Sequence, residues 1–124
     1  MKSHNVMICQ EDISAYIESE MPELSGICDK KKSRNVYDIV RHMLKYTRSQ
    51  VITHNLNAAR KCMALAENLY HKGNNAIKNA IENVYVYSFS HAFFHDIDQK
   101  DEVMTIVPPS LYKIYREQMI NSHL

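Results

Sequence analysis

Glycine and proline are scarce in this sequence: Gly26 and Gly73, then Pro22, Pro108 and Pro109, in 124 residues. All-β folds use many such residues in turns, so the shortage argues against them and favours a few long helices. Cysteines are also few: Cys9, Cys28 and Cys62 are odd in number, widely spaced and without a CxxC pair. That argues against a disulfide framework or a structural zinc site and leaves reduced thiols as the expectation. No run reaches the roughly 18 uninterrupted apolar residues of a membrane span. Met1 to Gln10 lack the apolar stretch of a signal peptide, so the expected setting is the cytoplasm, with no membrane partner. Glycine-rich phosphate loops, GxSxG and HExxH are missing, which removes the common routes to nucleotide binding, serine hydrolysis and zinc proteolysis.

What is present is ordinary globular material, 45% hydrophobic and 23% charged, in a chain long enough to bury a core without staples. Apolar residues recur at helical spacing. Cys9, Ile13, Tyr16 and Ile17 predict a first helix over about Ile8 to Met21, ended by Pro22. Glu23 to Arg34 then reads as a loop. Asn35 can cap a second helix, answered by Asp38, with Val36, Val40, Met43, Leu44, Thr47 and Val51 turned inward. A break is expected at His54 to Asn57. The third helix follows to Lys72, with Ala59, Met63, Ala66 and Tyr70 inward and Cys62, Leu65 and Leu69 beside them. Gly73-Asn74-Asn75 is a stop-and-restart signal. The fourth helix, Ala76 to about His95, is apolar nearly all round and so belongs at the centre. Asp96 to Glu102 reads as an acidic loop. Pro108-Pro109 introduces a last helix, Ser110 to about Asn121, buried along Leu111, Tyr112, Tyr115 and Met119. The expectation is an all-α fold of about five helices, in a bundle or a stack of antiparallel hairpins, forming a single domain over 1–124. Within it, residues 1–34 are an acidic first helix and a basic loop, and 35–124 are the helical core.

Three strings carry a resemblance: Lys61-Cys62-Met63-Ala64-Leu65-Ala66-Glu67, Asn79-Ala80-Ile81-Glu82-Asn83-Val84-Tyr85-Val86-Tyr87-Ser88 and Leu111-Tyr112-Lys113-Ile114-Tyr115. They are similar to an uncharacterised helical family of Bacteroides-type bacteria, over about the C-terminal two thirds of the chain. The resemblance implies a small bacterial helical domain and no particular activity.

Candidate chemistry is thin. His91 and His95 stand four apart, so on a helix they share a face, and at about 100° per residue they align with Ile77, Ala80 and Val84. Inward histidines at that spacing can ligate a metal, with Asp96 or Asp98 adding oxygen. Two ligands are an incomplete set, however, and the Glu-x-x-His of di-iron bundles is absent. Satisfied core histidines are therefore the preferred reading, and no cofactor is expected. The pairs Asp38/His42 and Glu67/His71 read as solvated faces. Cys62 falls on an apolar face, where a thiol packs as a small hydrophobe. The balance leans away from an enzyme.

Charge is segregated although the net value is only +1. Residues 1–29 hold one basic and six acidic side chains, and residues 30–61 hold nine basic and one acidic. Arg41, Lys45 and Arg48 line an outer strip of the second helix, continued by Lys31 and Arg34 in the loop. Such a strip suits an acidic protein partner, a second copy of the chain, or nucleic acid. A pI near 7.8 is low for a dedicated nucleic-acid domain, which ranks that option behind a protein partner. The bland alternative is that the acidic first helix packs beside the basic second one and the charges cancel. The leading expectation is a non-catalytic protein-interaction module, an adaptor or a neutralising partner. For the histidine pair, untagged protein reconstituted with zinc, manganese or iron is expected to retain no bound ion by metal analysis; one ion per chain, lost in His91→Ala, would establish the metal site instead.

Overall fold

The computed structural model describes residues 7–9, 11–24, 35–88 and 100–122. Its architecture is all-α, as the glycine-poor sequence predicts. Helix α1 spans Ile13–Glu20, α2 Val36–Ile52, α3 Leu56–Lys72 and α4 Asn75–Ala80; α4 runs on directly into a π-helical stretch, Ile81–Val86. A short α5 (Lys100–Met104) and a longer α6 (Pro109–Ser122) complete the described elements.

Three asparagines start the central helices. The side-chain oxygen of Asn35 accepts the Asp38 amide at 2.8 Å, that of Asn55 accepts Ala58 at 3.3 Å, and that of Asn74 accepts Ile77 at 3.1 Å. Each satisfies one of the amides a helix N-terminus leaves without a partner. Between α2 and α3 the chain reverses over Thr53 to Asn55, with His54 at a left-handed φ of 65°. The two helices form an antiparallel hairpin, closed halfway along by the Cys62 thiol donating to the Met43 carbonyl at 3.6 Å.

Gly73 ends α3 for a different reason from the usual one. Its φ of −82° is open to any residue. Space is the constraint: a Cβ there would lie 2.5 Å from both Ile77 Cγ2 and the Leu69 carbonyl oxygen. Gly73 also pairs with Ile8, whose amide donates to Lys72 O at 2.8 Å and whose carbonyl accepts from Asn74 N at 2.9 Å. Here the structure corrects the predicted first helix. Ile8 and Cys9 are extended rather than helical, because the Ile8 backbone is committed to the α3–α4 turn. α1 begins only at Ile13, anchored by the buried Ile13 and Ile17.

The core takes Val40, Met43 and Val51 from α2, Ala59, Cys62, Met63, Ala66 and Leu69 from α3, and Ile77, Ala80, Ile81, Tyr85 and Val86 from α4 and its continuation, all fully buried. In the π stretch the Tyr87 amide reaches back to Glu82 O, one residue further than in an α-helix. The extra residue in the turn carries Tyr85 under Ile81 and Ile77, and leaves Val84 only half-buried. The α-helical register that aligns His91 and His95 with Val84 is therefore not kept through this stretch. The Val84-to-Tyr87 run is helical.

Three further expectations are corrected. Lys100–Met104, partly inside the predicted acidic loop, is helical, pinned by the fully buried Val103. On α6 the inward stripe is Leu111, Ile114 and Tyr115, while Tyr112 lies about 100° off that line and is 41% exposed. Tyr70 is half-buried at the edge of α3, and Ile39 takes a buried place on α2.

Replacing Gly73 by alanine forces a methyl group into occupied space. The expected cost is about 1–3 kcal/mol, by analogy with overpacked cores, read as a lower urea midpoint with an unchanged slope.

Candidate functional site

On a helical wheel Tyr37, Arg41, Lys45, Arg48 and Ile52 share an arc of about 80° on α2, beside the half-buried Leu44, which packs against the core. Arg41 and Lys45 are exposed, Arg48 is half-buried, and the large side chains at the two ends, Tyr37 and Ile52, are 38% and 45% exposed. Arg41 Nη1 meets Asp38 Oδ1 at 2.8 Å. Both partners are largely solvated, so the pair stabilises little. Of the predicted strip, Lys31 and Arg34 lie outside the described residues.

The N-terminal part makes described contacts with α3 and with the turn that follows it. At one end Ile8 is stitched to Lys72 and Asn74, and at the other Glu23 Oε2 meets Lys61 Nζ at 3.3 Å. Between them Lys72 Nζ stands 6.0 Å above the Tyr16 ring. A hydrogen bond to its own backbone, helped by Lys61, holds the Glu23 carboxyl below its ordinary range. Burial and then the Glu23 charge push the Tyr46 hydroxyl up.

Glu67 and His71 are not a solvated pair, as the spacing alone suggests. Glu67 Oε2 accepts the Ser110 amide at 2.9 Å, and His71 Nε2 bonds Ser110 Oγ at 2.7 Å. Together they cap the first turn of α6 from α3, about 40 residues back in the chain. A serine hydroxyl on a histidine nitrogen has the look of a nucleophile and its base. The Glu67 carboxylate, however, sits on the Ser110 amide at the helix start, where a developing oxyanion would need donors. The arrangement is a helix cap. Its signal in the sequence is indirect: Pro108-Pro109 announces a helix without naming an acceptor for its first amides. Lys78 does corresponding work for the last carbonyls of α3, donating to those of Tyr70 and His71 while lying 5.1 Å from the centre of the Tyr70 ring.

The one fully buried polar side chain of the described core, Thr47, bonds the buried Tyr85 hydroxyl at 2.6 Å and donates to Met43 O at 3.0 Å. Cys62 lies alongside. Burial pushes its thiol up to about 11, against weaker hydrogen-bond effects of Thr47 and Tyr85 that pull it down. Burial also raises the Tyr85 hydroxyl well above its ordinary value. Such a thiol packs and does not attack.

Among the described residues, no group of three or more His, Cys, Asp or Glu side chains is placed to hold a metal ion. His91 and His95 lie outside the described residues. No described helix is long and apolar enough to cross a membrane.

A family model described as a domain of unknown function (DUF7674) matches residues 14–121, a span that contains all three strings of the resemblance. No curated protein and no solved structure matches the chain.

The Cys62 thiol is neutral in the fold up to about pH 11 but ionises near 9 once unfolded. Its contribution is complete below pH 9 and is lost as pH rises through about 11, by up to about 3 kcal/mol at roughly 1.4 kcal/mol per unit. Urea unfolding across pH 8–11 is expected to give a shallower decline in Cys62→Ala than in the parent; equal slopes would rule the thiol out as the cause.

Proposed function

We propose that this chain, which belongs to the DUF7674 family of domains of unknown function, is a non-catalytic protein-interaction module that binds through the outer face of α2. The observation that carries the reading is the composition of that face. Two arginines and a lysine run for about 11 Å between the exposed Tyr37 and Ile52. Arginine and tyrosine are favoured at protein interfaces, because each offers a large rigid surface with a polar tip. The cations would steer an acidic partner, and the flanking side chains would supply area to bury. α2 is held rigidly behind this face by the Asn35 cap and by Thr47, so its spacing would survive docking.

An adaptor or a neutralising partner in a bacterial cytoplasm is the setting this reading prefers, with Cys9 and Cys62 kept reduced. What supports a binding role over catalysis is the use already made of the reactive side chains: Cys62 is packed away, and Ser110, His71 and Glu67 are engaged as a cap.

The test is capture from the lysate of the source cell with tagged wild-type protein and with Arg41→Glu/Lys45→Glu/Arg48→Glu, both verified as helical by circular dichroism. A stoichiometric protein bound by the wild type, and at least about tenfold weaker on the variant, is the expected result. An equal yield from both would remove the strip from the interface. Nucleic acid in the eluate, released steeply by salt, would replace the protein partner with phosphate contacts.

A further inference from the structure

We infer that the N-terminal segment, Ile8 to Leu24, is a detachable strap. Its release melts α1 and uncovers the Leu65 flank of α3 while the central helices stand, a property independent of the α2 strip. α1 is a poor helix by its own sequence. Its eight residues fall short of the roughly 12–15 at which isolated helices become even marginal in water. Helices α2, α3 and α4 each have an asparagine oxygen on a first-turn amide, whereas the Asp12 side chain makes no such bond to α1. Glu18 and Glu20 put two carboxylates in its last turn, the end at which the helix dipole disfavours negative charge. Docking is what holds the segment: Ile13, Ile17, Met21 and Leu24 are at most 3% exposed.

Its described polar fixings lie at the two ends. The Ile8 amide donates to Lys72 O, and the Asn74 amide donates to Ile8 O. At the far end Glu23 and Lys61 pair through side chains 39% and 54% exposed, a contact that stabilises little. Lys61, Leu65 and Lys72 fall within about 40° of one another on the α3 wheel, about 100° or more from Ala66 in the middle of the face turned to the core. Leu65 is nonetheless only 4% exposed. Lys61 and Lys72, on either side of it along the helix, both contact the N-terminal segment, so the segment covers Leu65. This grip is separate from the Thr47–Tyr85 and Cys62–Met43 bonds that tie the central helices together, which is the condition for opening below global unfolding.

Native-state hydrogen exchange of the full chain tests the strap. The Asn74 amide lies in the α3–α4 turn, but its acceptor is the Ile8 carbonyl, so it reports the strap. The Tyr16, Met21 and Asn74 amides are expected to share one opening, at least about tenfold less protected than the Thr47 and Ala66 amides inside α2 and α3. Ile17→Ala is expected to favour that opening at least about thirtyfold, and Ile17→Val about fivefold should the alanine variant lose helicity. Met43→Ala, in the central core, is expected to leave it unchanged. Leu65→Cys in a Cys9→Ser/Cys28→Ser background reads the uncovered flank: a thiol reagent is expected to label it before the wholly buried Cys62, and sooner still with Ile17→Ala. Equal protection of strap and central amides, or a Met43→Ala that speeds both alike, would make the segment part of the global unit and overturn the inference. A Leu65→Cys thiol labelled no sooner than Cys62, or at a rate indifferent to Ile17→Ala, would overturn the covering of α3.

Discussion

The hydrogen bond between Thr47 and the Tyr85 hydroxyl sets the alignment of the three central helices. Tyr85 is wholly buried and its hydroxyl needs a partner, since an unmet polar group there costs about 1–3 kcal/mol. Thr47 supplies that partner at 2.6 Å and passes its own proton to the Met43 carbonyl, which also receives the Cys62 thiol. One carbonyl on α2 thus gathers side chains from α2 and α3, with the tyrosine after α4 one bond further on. The π-helical turn is the backbone's answer to the same requirement, because a regular α-helix would point Val84 inward and carry Tyr85 to the edge.

This arrangement leaves no reactive group of the central cluster free for chemistry and places the chain's individuality on its surface. There residues 11–20 carry four carboxylates and no cation, while Arg41, Lys45 and Arg48 lie on α2, with Asp38 paired to Arg41.

The helices were legible because apolar spacing and asparagine caps are local signals. Asn35, Asn55 and Asn74 each announce a helix from one side chain and one amide. What local signals could not carry was anything decided by a distant partner. The extended Ile8 depends on a carbonyl at Lys72, the Tyr85 register on a hydroxyl at Thr47, and the role of Glu67 on an amide at Ser110. A period of 3.6 also has no means of foreseeing a π turn, so the half-buried Val84 and the buried Tyr85 are not where it puts them. The Arg41, Lys45 and Arg48 strip was readable because all three share one uninterrupted helix. The pairing of Glu23 with Lys61 was not, since it joins residues 38 apart in the chain.

The cap on α6 bears on how the chain assembles. Glu67, which accepts the Ser110 amide, and His71, which bonds the Ser110 hydroxyl, both belong to α3, so a detached peptide of this helix would keep its sequence and lose that cap. Fourteen residues are close to the length at which isolated helices become marginal in water. The start of the last helix is therefore completed by a template, with α3 supplying what the local sequence lacks.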